Sequence, residues 1–567
     1  MKKIFSYLKP YRFRMIVGFL IKVLATIAEL IIPMLLAYVI NDIVPQQDVK
    51  LILYWGGIML LFSVLAFLGN VTANRMASKV ARNATEQIRY DLFHKIMYLS
   101  SKQLEELTTP SLISRATSDT YNLHQMFGMM QRLGVRAPIM LLGGIMLSFA
   151  LDVTLTLVMV ALLPIMTIIV YTISKKGIPM YTNVQEANDR FVRQMREVIT
   201  GIRVIKALSK VSFEKEKFDA INKEVVTKDQ KAGLFMNALN PIMSLLLNLG
   251  LVLIIFVGAY RVNNGTLEAA TIVAFMSYVT MVLNSILFIS RLFVMYSKAY
   301  ASGKRIANVL EYNEEQCIVP SDEKEMDFIV FDQVSFGYDN ETTVENISFS
   351  LKKGETLGII GATGSGKSTL IQLLMRFYDI KKGNIFVNGK NITSYPMNEL
   401  RSMFGVVFQN DIIFKDSIYE NISFGREIPK EQVIEAAKTA QSYEFIMERG
   451  LDFPLAIKGA NLSGGQKQRL LITRALANNP SILILDDSSS ALDYKTDARL
   501  RSEIRKHYKN TTTIMVAQRV SSIMNCNKII VMDEGKMVGY GTHEELLKQC
   551  EIYREISHSQ IGGEGNE

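Results

Sequence analysis

The run Gly361-Ala362-Thr363-Gly364-Ser365-Gly366-Lys367-Ser368 has the spacing G-x-x-x-x-G-K-S, between the apolar stretch Glu355–Ile360 and the helical stretch Thr369–Phe377. That spacing suits phosphate. Glycines let successive backbone N–H groups close around phosphate oxygens, and the positive end of a helix adds its dipole. Lys367 is expected to reach the β- and γ-phosphates of a nucleotide and Ser368 to ligate Mg²⁺. Gly361, Thr363, Gly364, Ser365, Gly366 and Thr369 form the rest of the cradle. Farther along, Ile482-Leu483-Ile484-Leu485-Asp486-Asp487 reads as a buried strand ending in carboxylates, with Asp486 placed to hold the metal or its water. Between the two, Leu462-Ser463-Gly464-Gly465-Gln466 opens a helix and offers a second phosphate-binding end.

Such groups need rigid elements behind them. Beyond residue 327, short strand-like runs (Phe328–Phe331, Thr356–Ile360, Ile482–Leu485, Thr513–Val516, Ile529–Met532) alternate with helical ones, the pattern of an α/β nucleotide-binding domain. Upstream the composition is different. The chain has 567 residues, 49% of them hydrophobic, and 21% charged. A mean hydropathy of +0.17 beside so many charges fits a chain that is part membrane and part water-soluble. Three cysteines without metal spacing exclude a disulfide scaffold.

Six apolar stretches are long enough, at about twenty residues each, to cross a bilayer. They lie at Met15–Ile40, Leu51–Ala73, Pro138–Leu151 with help from Met129–Gly134, Thr154–Ile173, Leu234–Ala259 and Ala270–Phe293. Arg132 and Arg136 shorten the third. The long connectors Asn74–Ala137 and Ser174–Gly233 are rich in Lys and Arg and keep helical periodicity over Asn83–Leu99 and Asn183–Ser209. The N-terminus adds Lys2, Lys3, Lys9, Arg12 and Arg14. This asymmetry puts the N-terminus and the long connectors in the cytoplasm. The net charge of +9 is thereby assigned to topology rather than to nucleic acid, which is not an expected partner. The expected division is a membrane domain over 1–310, a linker over 311–327, a nucleotide-binding domain over 328–560 and a flexible tail over 561–567.

With the phosphate loop, the strand ending in Asp486 and Leu462-Ser463-Gly464-Gly465-Gln466 in this order, the chain resembles the ATP-binding cassette (ABC) transporters, whose signature is LSGGQ. The resemblance implies an exporter-type half-transporter: six membrane helices with long cytoplasmic extensions fused to an α/β P-loop cassette. It makes Tyr338 the aromatic that stacks on adenine, Gln409 the glutamine that senses Mg²⁺ and the membrane domain, and Ser490–Asp493 the loop after the second strand motif. Ser111–Arg115 with Asp119, and Glu197–Lys206, resemble the two intracellular loops that carry coupling helices. In the family the signature faces nucleotide held by the opposite cassette, so a second half-transporter is required.

Two positions depart from the family pattern. Asp487 stands where the general-base glutamate is usual, and Gln518, in Ala517-Gln518-Arg519, replaces the switch histidine. Asp487, Gln518 and Gln409 are therefore the candidate catalytic residues of an own site that looks degenerate, and a heterodimer is favoured over a homodimer. Ile457 is a third, milder departure, where a glutamate is frequent. The expected cargo is an amphipathic drug or lipid carried across the plasma membrane. Alternatives are a homodimeric exporter with slow ATPase, a peptide exporter, a metal-chelate importer of the same fold, and an ATP-gated regulatory module. In the membrane half, Lys22 and Glu29 lie seven residues apart in the first span, read as an internal ion pair or a substrate contact. Met276, Met281, Met295, Phe275, Phe288 and Tyr278 are candidates for an adaptable apolar pocket, Arg291 for snorkelling and Trp55 for an outer anchor.

Overall fold

The structure is a computed structural model of the full chain, and it describes residues 1–313, 325–338, 341–488 and 490–561. Most of the expected linker, with Cys317, lies outside the described residues, as do Ser489 and nearly all of the expected tail. Two compact units result, one of Met1–Met97 with Thr109–Tyr312, the other of Tyr98–Thr108 with Asn313–Glu567.

The first unit is helical. Among the described residues, six segments are long and apolar enough to cross a membrane: Lys2–Gln46, Val49–Met97, Thr109–Leu151, Val153–Thr200, Val211–Asn263 and Ala269–Glu311. Each contains one expected span. The 49-residue helix Val49–Met97 and the 48-residue helix Val153–Thr200 run about 70 Å each at 1.5 Å per residue, far more than a hydrocarbon core of about 30 Å needs. The third span is not shortened by its arginines, because Thr120–Leu151 is one helix and Arg136 donates to Glu29 Oε1 at 2.5 Å inside the unit. Asp152 then breaks the chain, accepting from Leu155 N to cap the next helix and pairing with Arg261.

Lys22 and Glu29 do not pair with each other. Lys22 donates to Asn70 Oδ1 at 2.6 Å and Asn74 Oδ1 at 3.1 Å, while Glu29 has Arg136. Seven residues along one helix separate two side chains by about 10 Å, too far for direct contact. Phe275 and Tyr278 are fully buried in the bundle, Tyr278 donating to Leu30 O at 2.8 Å, so they pack rather than line a pocket.

The second unit holds two sheets. The smaller has the order β2-β1-β4-β5 (Val344–Leu351, Ile329–Phe336, Lys382–Val387, Lys390–Asn391) and is antiparallel. The larger has the order β10-β9-β3-β8-β7-β6 (Lys536–Gly541, Lys528–Asp533, Thr356–Gly361, Thr512–Val516, Ile482–Asp486, Phe404–Val407). It is parallel apart from β10. A parallel sheet covered on both faces asks for continuous apolar strands, and every residue of β7 is buried. Register pairs Ile359 of β3 and Asp486 of β7 with the same residue, Val516 of β8. The carboxyl ends of the three strands thus form one edge, where ligands of open α/β sheets bind. A separate apolar core gathers around the helix Gly464–Leu476, with Leu462, Leu470 and Ile472 buried in it.

Candidate functional site

The phosphate loop leaves β3 at Gly361 and enters the helix Lys367–Leu374. Gly364 and Gly366 hold φ of 84° and 96°, a region open to glycine and strained for other residues. A Cβ on Gly366 would lie 2.6 Å from Val344 Cγ1, so this position also admits no side chain. Lys367 Nζ folds back onto the carbonyls of Gly361 at 3.0 Å and Ala362 at 2.7 Å. Burial lowers the Lys367 ammonium below its ordinary range, against the opposing pull of Asp486 and Asp487. A terminal phosphate is the kind of partner that would restore the charged form. Ser365 Oγ is buried with no hydrogen-bond partner among the described residues. A cradle with an orphaned hydroxyl and a lysine resting on its own loop fits a phosphate chain.

Asp486 ends β7 and is 5% exposed. Burial raises its carboxyl above the usual carboxylate range, Asp487 adds to the rise, and a hydrogen bond from Ser368 opposes it. Ser368 and Asp486 together are a hard-oxygen pair of the kind that could hold Mg²⁺, and a cation there would keep Asp486 ionised. Thr369 begins the buried face of the helix, and its hydroxyl lies 3.5 Å from that of Tyr338. Tyr338 donates to Gln372 Oε1 at 2.7 Å and meets Tyr378 edge-on at 5.2 Å between ring centroids. The ring therefore stands beside the phosphate-loop helix.

Asp487 holds a left-handed φ of 49° and donates its backbone N–H to Val516 O at 3.1 Å. Its Oδ2 accepts from Gln518 Nε2 at 2.9 Å and, at 3.5 Å, from Gln409 Nε2. The three candidate catalytic residues are therefore brought together at one carboxylate oxygen.

The signature residues are organised separately. Ser463 caps the helix Gly464–Leu476 and forms a capping box with Gln466: Ser463 Oγ accepts from Gln466 N at 3.3 Å, and Gln466 Oε1 accepts from Ser463 N at 3.0 Å. Gly464 and Gly465 lie against Ala491, and Gln468 ties the helix to Ser490 Oγ at 3.0 Å and Ala491 N at 2.9 Å. Among the described residues, no hydrogen bond or ion pair links Ser463–Gln466 to the phosphate loop. Ile457 sits exposed in the turn Ile457–Gly459 before this helix.

Ser111–Ser114 belongs to the helix Thr109–Ser114 of the membrane unit, and Asp119 is buried there, holding Arg305 and Ser302. The short helix that groups with the cassette is Ser101–Leu107, whose Glu105 accepts from the Tyr378 hydroxyl at 2.6 Å. Its signal was present as the capping box Ser100 to Gln103. Glu197–Lys206 ends one long helix and makes the exposed short helix Ile202–Ala207.

Comparison with known proteins fits this geometry. The model described as ABC transporter transmembrane region matches residues 15–286, and that described as ABC transporter matches 344–490. The chain is 35% identical over 573 residues, covering 100% of both chains, to the uncharacterized ABC transporter ATP-binding protein YfiB of Bacillus subtilis. It is 29% identical to an ATP-dependent lipid A-core flippase of Colwellia psychrerythraea, over 99% of this chain and 96% of that one. A bacterial Atm1-family ABC exporter with ATP bound has a TM-score of 0.83 at 24% identity, covering 98% of this chain and 99% of that chain, a likeness of fold.

Proposed function

This chain belongs to the ABC transporter family, and from that premise we propose that it is one half of an ATP-driven exporter whose own nucleotide site is degenerate. In this reading the phosphate loop holds ATP that is hydrolysed slowly, while Ser463, Gly464, Gly465 and Gln466 complete the competent site of a different partner half-transporter. The observation that carries it is the contact between the two departures from the family pattern, Gln518 Nε2 on Asp487 Oδ2 at 2.9 Å.

The chemistry of that contact argues against fast turnover. A general base needs a carboxylate oxygen within reach of the attacking water. Aspartate is one methylene short of glutamate, drawing the carboxylate back by about 1.5 Å, and a misplacement near 1 Å can cost about a hundredfold. Gln518 adds an amide donor where the family has a group able to become a cation, and an amide stays neutral.

The same reading assigns the remaining roles. Tyr338 stacks on the adenine, Lys367 neutralises the terminal phosphates, and Gly361, Thr363–Gly366 and Thr369 complete the cradle. Ser368, Gln409 and Asp486 hold Mg²⁺, which supplies charge neutralisation to the phosphates when bound. The membrane domain over 1–310 carries an amphipathic drug or lipid across the plasma membrane by alternating access. The N-terminus and the cassette over 328–560 are cytoplasmic. The lipid A-core flippase among the relatives supports the lipid end of that class.

A repair experiment tests the degenerate site. Asp487→Glu with Gln518→His in the full chain, purified alone, should raise its ATPase at least tenfold, since an aligned base and a cationic donor each contribute about 10²-fold or more. An unchanged or lower rate would mean that Asp487 already works as the base, and the homodimeric reading would replace this one.

A further inference from the structure

Glu29 is the only carboxylate on the helices Arg12–Tyr38 and Thr120–Leu151, yet Lys22, Arg132 and Arg136 lie on the same two helices. Ionised, this group carries a surplus of two positive charges at membrane depth, where single charges are costly and usually mark a path for substrate. Glu29 answers only Arg136. Lys22 is 3% exposed and held by two neutral carbonyl oxygens, those of Asn70 and Asn74, and Arg132 Nε donates to Gly128 O at 3.1 Å. No described group cancels the surplus.

One of these cations, Arg136, lines open space. Arg136 borders a cavity of about 370 Å³ whose lining includes Thr280, Asn284 and Ser285 as well as Met281 and Phe288. That lining offers both hydrogen-bonding groups and adaptable apolar surface. Asn74, which holds Lys22, also borders a second and more open groove of about 900 Å³. Its charged or titratable lining is Arg75, Lys79, Arg82 and His124, with no carboxylate. Spacings of four and three residues put Arg75, Lys79 and Arg82 on one helix face. Asn74 thus borders the groove while holding Lys22, and Arg136 borders the cavity while holding Glu29.

We propose that this ladder of cations selects amphipaths whose headgroup is negatively charged, the groove gathering them and Arg136 receiving the headgroup in the cavity. The inference rests on the exporter reading and names its substrate class. Lipid attraction alone would explain basic residues at a membrane edge. It would not explain a surplus carried into the bundle by Lys22 and Arg136.

The test measures binding of radiolabelled dodecyl phosphate to the full chain in phosphatidylcholine nanodiscs, without nucleotide and corrected for empty discs. Dodecyltrimethylammonium, with the same tail, and inorganic phosphate, with no tail, are the comparison probes. Dodecyl phosphate should bind at least tenfold more tightly than either, the scale of one charged hydrogen bond. Arg136→Glu should remove that preference, and Arg136→Lys should keep most of it. Arg75→Glu with Lys79→Glu should weaken binding by about threefold and flatten its salt dependence. Should Arg136→Glu fail to fold, Glu29→Gln with Arg136→Gln removes the pair without leaving an unmatched charge. A pair with a structural role only would then leave dodecyl phosphate affinity unchanged, whereas the proposal requires a fall of about tenfold. Equal binding of the cationic probe, equal binding of inorganic phosphate, or unchanged affinity in the double variant would overturn it. ATP binding, measured separately on the same preparations, should be unaltered throughout; its absence from the unmodified chain would count against the transporter reading instead.

Discussion

The carboxyl edge of the parallel sheet and the amino end of the helix Gly464–Leu476 both present groups suited to phosphate, but they are finished to different degrees. At the sheet edge, Gln518 and Gln409 converge on one oxygen of Asp487, and Lys367 rests on its own loop. At the helix end, Ser463 and Gln466 satisfy each other in a capping box, and the glycines beside them pack on Ala491. The second arrangement is a capped helix start that, among the described residues, makes no hydrogen bond to the phosphate loop of its own chain. The first is a glycine-rich cradle beside a carboxylate, Asp487, that two amides engage. On the proposed reading, the contrast is between a cassette's supply of signature contacts and its own hydrolysis.

The largest effect that would sharpen this contrast is expected at Ser463. Ser463→Arg in this chain should lower turnover of the assembled transporter by about 10²–10³, the scale of a lost transition-state donor. Loss of the cap itself costs only about 1 kcal/mol, so a thermal melt should move by a few degrees while the rate collapses. A rate that merely follows the melt would erase the distinction between the two ends.

At the sheet edge, Lys367→Ala should weaken ATP–Mg²⁺ binding to this chain by about a hundredfold, from two charged hydrogen bonds at about 1.5–3 kcal/mol each. Isothermal titration on the full chain reads this directly, and normal affinity would remove the phosphate-loop assignment. Tyr338→Ala should weaken the same binding by about 1–3 kcal/mol, the range for aromatic stacking on a base. Tyr338→Phe, which gives up only the hydroxyl's contacts with Gln372 and Thr369, should cost less than the alanine. A phenylalanine as damaging as the alanine would show that the hydroxyl, and not the ring, matters. The mildest effect is expected at the loop: Arg203→Glu, on the exposed helix Ile202–Ala207, should leave ATP binding intact and reduce transport per ATP by a few-fold. Unchanged coupling there, measured in proteoliposomes, would leave Ser101–Leu107 as the better candidate.

What the sequence made legible follows the same division. The phosphate loop, β7 and the signature helix are local patterns: a glycine spacing, a run of apolar residues and a capping box each fix their own backbone. Gln518 and Asp487 stand out in the sequence as two departures within one site, but their contact depends on β7 and β8 lying side by side, which no local pattern states. In the membrane half the limit is sharper. Helical spacing places Lys22 and Glu29 on one face, but not the helices they face; the partners turned out to be Asn70, Asn74 and Arg136. Arg136 had weakened the third span as a reading, since a charge in an apolar run shortens it until its counter-charge on another helix is known. Ser101–Leu107 was passed over for a different reason, its seven residues being too short for periodicity to register.

The most direct test compares two substitutions within this one polypeptide, Gly464→Asp and Asp487→Asn, each assembled with the partner half-transporter and measured for steady-state ATPase. Gly464 has room for a Cβ, with Ala491 Cβ 3.5 Å away, so the new carboxylate should act by repelling the partner's γ-phosphate and not by unfolding the helix. The account predicts a fall of about 10²-fold or more for Gly464→Asp and a fall of less than about twofold for Asp487→Asn, whose site contributes little flux. The opposite order, with Asp487→Asn abolishing turnover and Gly464→Asp sparing it, would contradict the degenerate site and make Asp487 a working base.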